Sequence, residues 1–302
     1  MIPQACDHRN ASSATPCRAK PCHATPCPNT PCHADLHALG VRVRLEAAAP
    51  QWLDALCDHV PAGWFVRETD MSRGPTWDAR IRWLDTPPLG PCGPVEASSQ
   101  RPSRLLVNDR AVIVARQPRD VVERFEHELM TALAARSRWL ILHAGVVVHY
   151  GRALVLPGRS FAGKSTLVRA LVDHGATYYS DDLAAIDPAG RVHAVPRPLA
   201  LRNRDSRPEH FAPRELGWTE RCVARPIAGF LLVHYRPGAR FAAARLTPGQ
   251  GAMALFAHAL SAATAPERTL RQLIELTAKA PVLRGERGEA NVDVERILTA
   301  LS

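Results

Sequence analysis

Apolar residues along this chain change their spacing several times, and each change marks an element. From Val41 to Glu46 apolar and charged residues alternate, the period of a half-buried strand. Trp52, Leu53, Leu56 and Cys57 then follow the spacing of one helix face between Pro50 and His59. Pro61-Ala62-Gly63 ends that helix, Trp64-Phe65-Val66 predicts a strand, and Ala79 to Leu84 alternates as another. Residues 86–103 are rich in Pro, Gly and Ser and read as a surface loop. Arg104–Asn108 and Ala111–Arg116 predict two strands joined around Asp109-Arg110. Pro118 suits a first helical turn, and Val121, Val122, Phe125, Leu129 and Leu133 share one face of a helix reaching Arg136. Residues 37–136 thus read as a small α+β domain.

From Trp139 the apolar runs become nearly continuous. Trp139–Val148 and Ala153–Leu156 suit buried strands. Lys164–His174 carries Leu167, Val168, Leu171 and Val172 on one helix face, with Gly175 as its stop. Ala176–Ser180 predicts a strand ending at Asp181-Asp182. Leu183–Ile186 and Arg191–Val195 predict a hairpin around Pro188-Ala189-Gly190, and Ile227–Tyr235 with Arg240–Leu246 a second around Pro237-Gly238. Thr247-Pro248 supplies a cap and a first-turn proline for a helix through Leu260. Helices follow at Pro266–Lys279 and Val292–Leu301. Strands alternating with helices predict an α/β domain over 137–302.

The first 36 residues follow neither period. Pro-Cys recurs at Pro16-Cys17, Pro21-Cys22, Pro26-Cys27 and Pro31-Cys32, with His8, His23 and His33 among them. The C-x4-C spacing differs from the C-x2-C knuckle of structural zinc sites, and proline before each cysteine favours an extended backbone. Residues 1–36 therefore read as a disordered Cys/Pro-rich tail.

Composition narrows the classes. Hydrophobic residues make up 46% of the 302 and charged ones 22%, which excludes a mostly disordered chain. The apolar neighbourhood from Trp139 to Leu156 is broken by His143, His149, Tyr150 and Arg152. It is too polar for a membrane span, which needs about 20 mostly apolar residues. No basic start followed by an apolar run opens the chain, so a cytoplasmic protein is expected. The net charge of +9 favours anionic partners. The cations are spread out, and no aromatic-interleaved basic run predicts nucleic-acid binding.

One motif carries chemistry. Gly158-Arg159-Ser160-Phe161-Ala162-Gly163-Lys164-Ser165 matches G-x-x-x-x-G-K-[ST], between a predicted strand and a predicted helix. Glycines let backbone N–H groups turn toward phosphate oxygens, and the helix start adds its positive dipole end. Lysine brings charge to the β/γ-phosphates, and the serine hydroxyl can ligate Mg²⁺. Residues 158–166, including Thr166, form the expected nucleotide site, with ATP and Mg²⁺ as cofactors. Asp181-Asp182, at the end of a strand beside the loop, can supply a metal ligand and a proton acceptor. Asp181, first after the strand, is assigned as the base, and Asp182 joins Ser165 at the metal. Arg202 is the candidate for the acceptor or the developing charge, with Arg197 as the alternative. Taken alone, His143 reads as a hydrogen-bonded core residue.

Leu142-His143-Ala144-Gly145-Val146-Val147-Val148-His149-Tyr150-Gly151, the loop Gly158–Ser165 and Asp181-Asp182 together resemble the carboxy-terminal domain of HPr kinase/phosphorylase. That family shows a His followed seven residues later by Tyr-Gly, then the loop, a helix and a strand ending in Asp-Asp. The likeness is close from Leu142 to Asp182 and extends by element order over most of 137–302. It implies an ATP-dependent kinase that phosphorylates a serine hydroxyl with Mg²⁺. His143 would lie near the transferred phosphate, Lys164 and Ser165 would bind phosphate and metal, and Asp181 or Asp182 would be the base. HPr kinase-like proteins also occur as tailoring kinases for ribosomally made peptides. Two features depart from the family. Ser165-Thr166 stands where the family has Ser-Glu, and Pro196–Arg202 replaces a later glycine-rich signature. Both point away from the reverse phosphorylase reaction and from HPr as substrate. The expected partners are ATP and another hydroxyl acceptor, on a protein, a peptide or a small molecule, with neither nucleic acid nor membrane; a homo-oligomer is left open. The alternative is a non-catalytic nucleotide-binding regulator.

Overall fold

A computed structural model describes residues 32–60, 64, 79–84, 102–158, 162–201, 209–219 and 222–301. The alternation at 41–47 is a strand: Val41, Val43, Leu45 and Ala47 are buried, while Arg42, Arg44 and Glu46 are half-buried. It belongs to a sheet in the order β1 (Cys32–Ala38), β2 (Val41–Ala47), β3 (Ala79–Leu84), β4 (Ser103–Val107), β5 (Arg110–Ala115). β2 and β3 run parallel and the other pairs antiparallel. A parallel pair needs a crossover, and α1 (Pro50–Asp58) lies within it. α2 (Pro118–Arg136) begins at the expected proline and packs Val121, Phe125, Leu129 and Leu133 into the same core.

β1 begins inside the segment read as tail, whose residues 1–31 lie outside the described residues. Small Ala34 and Ala38 flank Leu36 on its buried side, opposite His33, Asp35 and His37, so the strand carries little apolar signal. Its register is fixed by β2. Arg44 Nε and Nη2 donate to the two Asp35 carboxylate oxygens at 2.9 and 3.1 Å across the pair. Of the predicted Trp64-Phe65-Val66 strand, only Trp64 is described, outside any strand, its carbonyl accepting from His37 N–H at 2.7 Å.

Trp83 is the centre of this core. It is 0% exposed and stacks on Trp52 with ring centroids 4.8 Å apart. Trp83→Ala is expected to cost about 3–5 kcal/mol in urea denaturation. Trp83 Nε1 has no partner among the described residues. Trp83→Phe, which removes that N–H and keeps most of the ring, should therefore lose far less.

The second sheet is larger. Its strands are β6 (Leu140–His149), β7 (Arg152–Pro157), β8 (Thr177–Ser180), β9 (Leu183–Ile186), β10 (Arg191–His193), β13 (Arg225–Tyr235), β14 (Ala242–Arg245) and β15 (Val282–Arg287). They run in the order β10-β9-β6-β7-β13-β15-β14, with β8 also paired to β6. β11 (Leu199–Leu201) and β12 (Glu209–Phe211) form a separate short hairpin. β7, β13 and β15 are parallel. Both faces of the sheet are covered, so its central strands are apolar on both sides. α3 (Lys164–Asp173) and α6 (Ala290–Thr299) pack on the face bearing Leu154, Leu231 and Leu283. α4 (Pro248–Phe256) and α5 (Pro266–Lys279) pack on the face bearing Val155, Phe230 and Val282. The protein is mixed α/β. Among the described residues no helix is long and apolar enough to cross a membrane.

Two expectations change here. Ile227–Tyr235 and Arg240–Leu246 are not hairpin partners: β15 enters between β13 and β14, pairing parallel with one and antiparallel with the other. In that place Val282 and Leu283 bury on opposite faces, which a β13–β14 hairpin would leave unfilled. α4 also stops at Phe256 rather than Leu260, because the chain bends toward β6. There the His258 carbonyl accepts from His143 N–H at 2.8 Å and Ala259 bridges Leu142.

The expected boundary at 136/137 falls between α2 and β6, but one core crosses it. Ile141, Leu183, Ala185 and Val195 of the second sheet's side pack into the core around Trp83 and Phe125. Glu126 of α2 takes both Arg197 and His59.

Candidate functional site

β7 ends at Pro157 and α3 starts at Lys164, so the glycine motif spans the turn from strand to helix. Gly158, Ala162, Gly163, Lys164, Ser165 and Thr166 are described; Arg159, Ser160 and Phe161 lie outside the described residues. Gly163 is the residue before the helix, at φ +77°. Only glycine takes that conformation at little cost, and a Cβ there would meet the Arg287 guanidinium. The first N–H groups of α3 have no partners within the helix and face the loop, which suits an anion.

β6 brings His143 to the loop. Its neighbour Ala144 is paired with Pro157, so His143 lies level with Gly158. Lys164 Nζ donates to the Gly158 carbonyl at 2.9 Å and stands 3.3 Å from His143 Nε2. His143 Nδ1 is 3.1 Å from both the carboxylate and the carbonyl oxygen of Asp182. Ser165 Oγ donates to Asp181 Oδ2 at 2.7 Å. Six of the predicted residues therefore meet here, Gly158–Lys164–His143–Asp182 in one hydrogen-bonded chain and Ser165–Asp181 in a pair beside it. Gly145 permits the approach of the helix: a Cβ there would lie 2.7 Å from Val168 Cγ2 of α3.

Asp181-Asp182 lies between β8 and β9, which both run antiparallel to β6 on successive stretches of it. β8 ends at Ser180, as expected, and β9 resumes the pairing at Leu183. The register against β6 slips just before the pair, between Tyr178 and Ser180. Ala144 N–H donates to the Asp182 carbonyl at 3.2 Å, and Leu183 N–H to Ser180 Oγ at 3.1 Å. The chain bends at these two residues, outside both strands, so consecutive side chains can serve one site.

Their electrostatics differ. The hydrogen bond to His143 holds Asp182 below the usual carboxylate range, against the effect of its partial burial. Burial pushes Asp181 up, with the Ser165 hydrogen bond opposing. Asp181 Oδ1 is buried without a hydrogen-bond partner among the described residues. Burial also lowers Lys164, with Asp182 and Asp181 opposing. A carboxyl whose folded pKa lies above its unfolded one stabilises the fold below the unfolded pKa. That stability is lost as pH rises through the folded value. At neutral pH Asp181 thus strains the free protein, and Asp181→Asn should raise Tm by a few degrees in calorimetry; an unchanged or lower Tm would contradict this.

The chain matches no protein-family model and no curated protein.

Two further basic residues bear on the cluster. Arg197, the alternative acceptor residue, is paired with Glu126 of α2, and its carbonyl accepts from Tyr178 OH at 2.8 Å; Arg202 lies outside the described residues. Arg287, which no sequence pattern singled out, closes the loop from the other side. It is 2% exposed, and its Nη2 donates to the Gly163 carbonyl at 2.8 Å. Its Nη1 holds the Gly288 carbonyl at 2.8 Å, and the Tyr235 ring lies beneath it at 5.4 Å. The one hint was two glycines, Gly285 and Gly288, close around an arginine in a polar stretch.

Proposed function

We propose that residues 137–302 form a divergent HPr kinase-like domain that transfers the γ-phosphate of ATP to a hydroxyl, a serine of a protein or peptide in the first place. The observation that carries this reading is the cluster Lys164–His143–Asp182 beside Ser165–Asp181, built around a G-x-x-x-x-G-K-S loop. Phosphoryl transfer needs positioned charge more than covalent chemistry, and these residues supply it.

Mg²⁺ fits the donor set. Ser165 Oγ and Asp181 Oδ2 are already adjacent, and Asp181 Oδ1 is buried without a hydrogen-bond partner among the described residues. Mg²⁺ uses one or two carboxylates plus phosphates and water rather than a full protein cage. Bound there, Mg²⁺ would neutralise phosphate charge. Lys164 moves from the Gly158 carbonyl to the phosphates. Asp182 takes the acceptor's proton as the acceptor oxygen bonds to the γ-phosphorus and the bond to the β-phosphate oxygen breaks, releasing ADP. His143 holds the Asp182 carboxylate in place. This ordering reverses the assignment made from sequence: the aspartate that touches Ser165 is Asp181, and the more exposed one, held by His143, is Asp182.

The test is transfer of label from γ-labelled ATP with Mg²⁺ to a set of serine-containing peptides and small alcohols. Acceptor-dependent labelling is the expected result. ATP binding without transfer to any acceptor favours the regulator, and no ATP binding overturns the phosphate loop itself.

A further inference from the structure

On the α4 side of the larger sheet a groove of about 620 Å³ is lined by α4, the turn after it and Arg284 of β15. Met253, Ala254 and Ala257 give it an apolar wall, and Gln250, His258 and Arg284 give it polar points. Both ends are tied to the candidate site. The His258 carbonyl accepts from the His143 N–H at 2.8 Å. Arg284 lies in β15, three residues before the Arg287 that holds the Gly163 carbonyl. The groove thus borders the transfer site on the sheet face opposite α3.

Its charge is one-sided. No lining residue is acidic. Glu286, the acidic residue on the same side of β15, is engaged by Arg236 Nε at 2.8 Å and His234 Nε2 at 3.2 Å. Arg284 is exposed and has no acidic partner among the described residues. Beside it Met253 is 60% exposed. An unpaired guanidinium next to an apolar shelf matches a carboxylate next to an apolar side chain. The volume lies within the range of sites that hold a drug-sized ligand, roughly 300–1,000 Å³, which is room for a short stretch of extended chain. A small hydroxy acid would satisfy Arg284 but leave the shelf uncovered.

We infer that this groove is the acceptor subsite, and that it takes a peptide segment carrying an acidic side chain beside an apolar one, close to the serine that is phosphorylated. The role as acceptor subsite rests on the kinase reading above; the peptide preference rests on the groove alone.

The two are separable by experiment. Short fluorescein-labelled serine peptides carry one leucine and one glutamate at successive positions around the serine, with matched glutamine and lysine versions. Anisotropy without nucleotide reads the groove, and transfer from labelled ATP reads the chemistry. At its best position glutamate should bind on the order of tenfold tighter than glutamine. Arg284→Glu should reverse that preference in favour of lysine, and Arg284→Lys should keep most of it. Met253→Ala should weaken glutamate and glutamine peptides alike. Acid-selective binding without transfer supports the groove and counts against the kinase reading. Transfer with no acid preference, a preference unchanged in Arg284→Glu, or binding to no peptide of the set overturns the groove.

Discussion

Asp182→Asn should stop phosphate transfer while leaving Mg-ATP binding almost unchanged. Asparagine keeps the size of the side chain and an oxygen for His143 Nδ1, 3.1 Å away in the parent, so the bend between β8 and β9 has no reason to shift. What is lost is a carboxylate able to take a proton. General bases contribute about 10²–10⁴-fold, and single-turnover transfer is expected to fall by roughly 10³. Asp181→Asn provides the contrast. Its carboxylate faces Ser165, so the loss should appear first as a raised Mg²⁺ requirement and weaker Mg-ATP binding. Equal single-turnover rates for the parent and Asp182→Asn would remove this residue from the chemistry.

Lys164→Ala is the second large effect: nucleotide affinity should collapse while the fold survives. Lys164 begins α3, where alanine is the best helix former. Its ammonium is half-buried beside the Gly158 carbonyl and His143, and burial lowers its pKa. In the proposed reading, two phosphates would offset the desolvation of that charge. Affinity measured by calorimetry should weaken by about 10²-fold or more, with the near-UV circular dichroism of the parent retained. A folded variant that binds ATP as the parent does would show that this lysine serves the loop's structure alone.

Local pattern made much of this molecule legible. α2 runs from Pro118 to Arg136 as its proline and apolar face require. β6, β7 and α3 followed from two apolar runs and a glycine turn, and they place His143, Lys164 and Ser165. Less legible were the features set by distant neighbours. β15 reads Val-Leu-Arg-Gly-Glu-Arg; only pairing with β13 and β14 on either side makes that charged stretch a strand. β1 has small alanines where a stronger signal would have large residues. The order of roles at Asp181-Asp182 depends on which carboxylate faces Ser165. That is decided by where α3 brings Ser165 against the bend, a contact that leaves no trace in the two-residue motif. Arg287 was hidden for the same reason as the strand that carries it.

The place of β15 also sets a time. The strand that supplies the Gly163 clasp and one side of the groove is made after β13 and β14, yet it sits between them. Until residues 282–287 have been made, β13 has β7 and β10 beside it but not β15, and the loop lacks its arginine. A chain stopped short of Val282 therefore carries the whole glycine-lysine motif without the guanidinium that clasps Gly163.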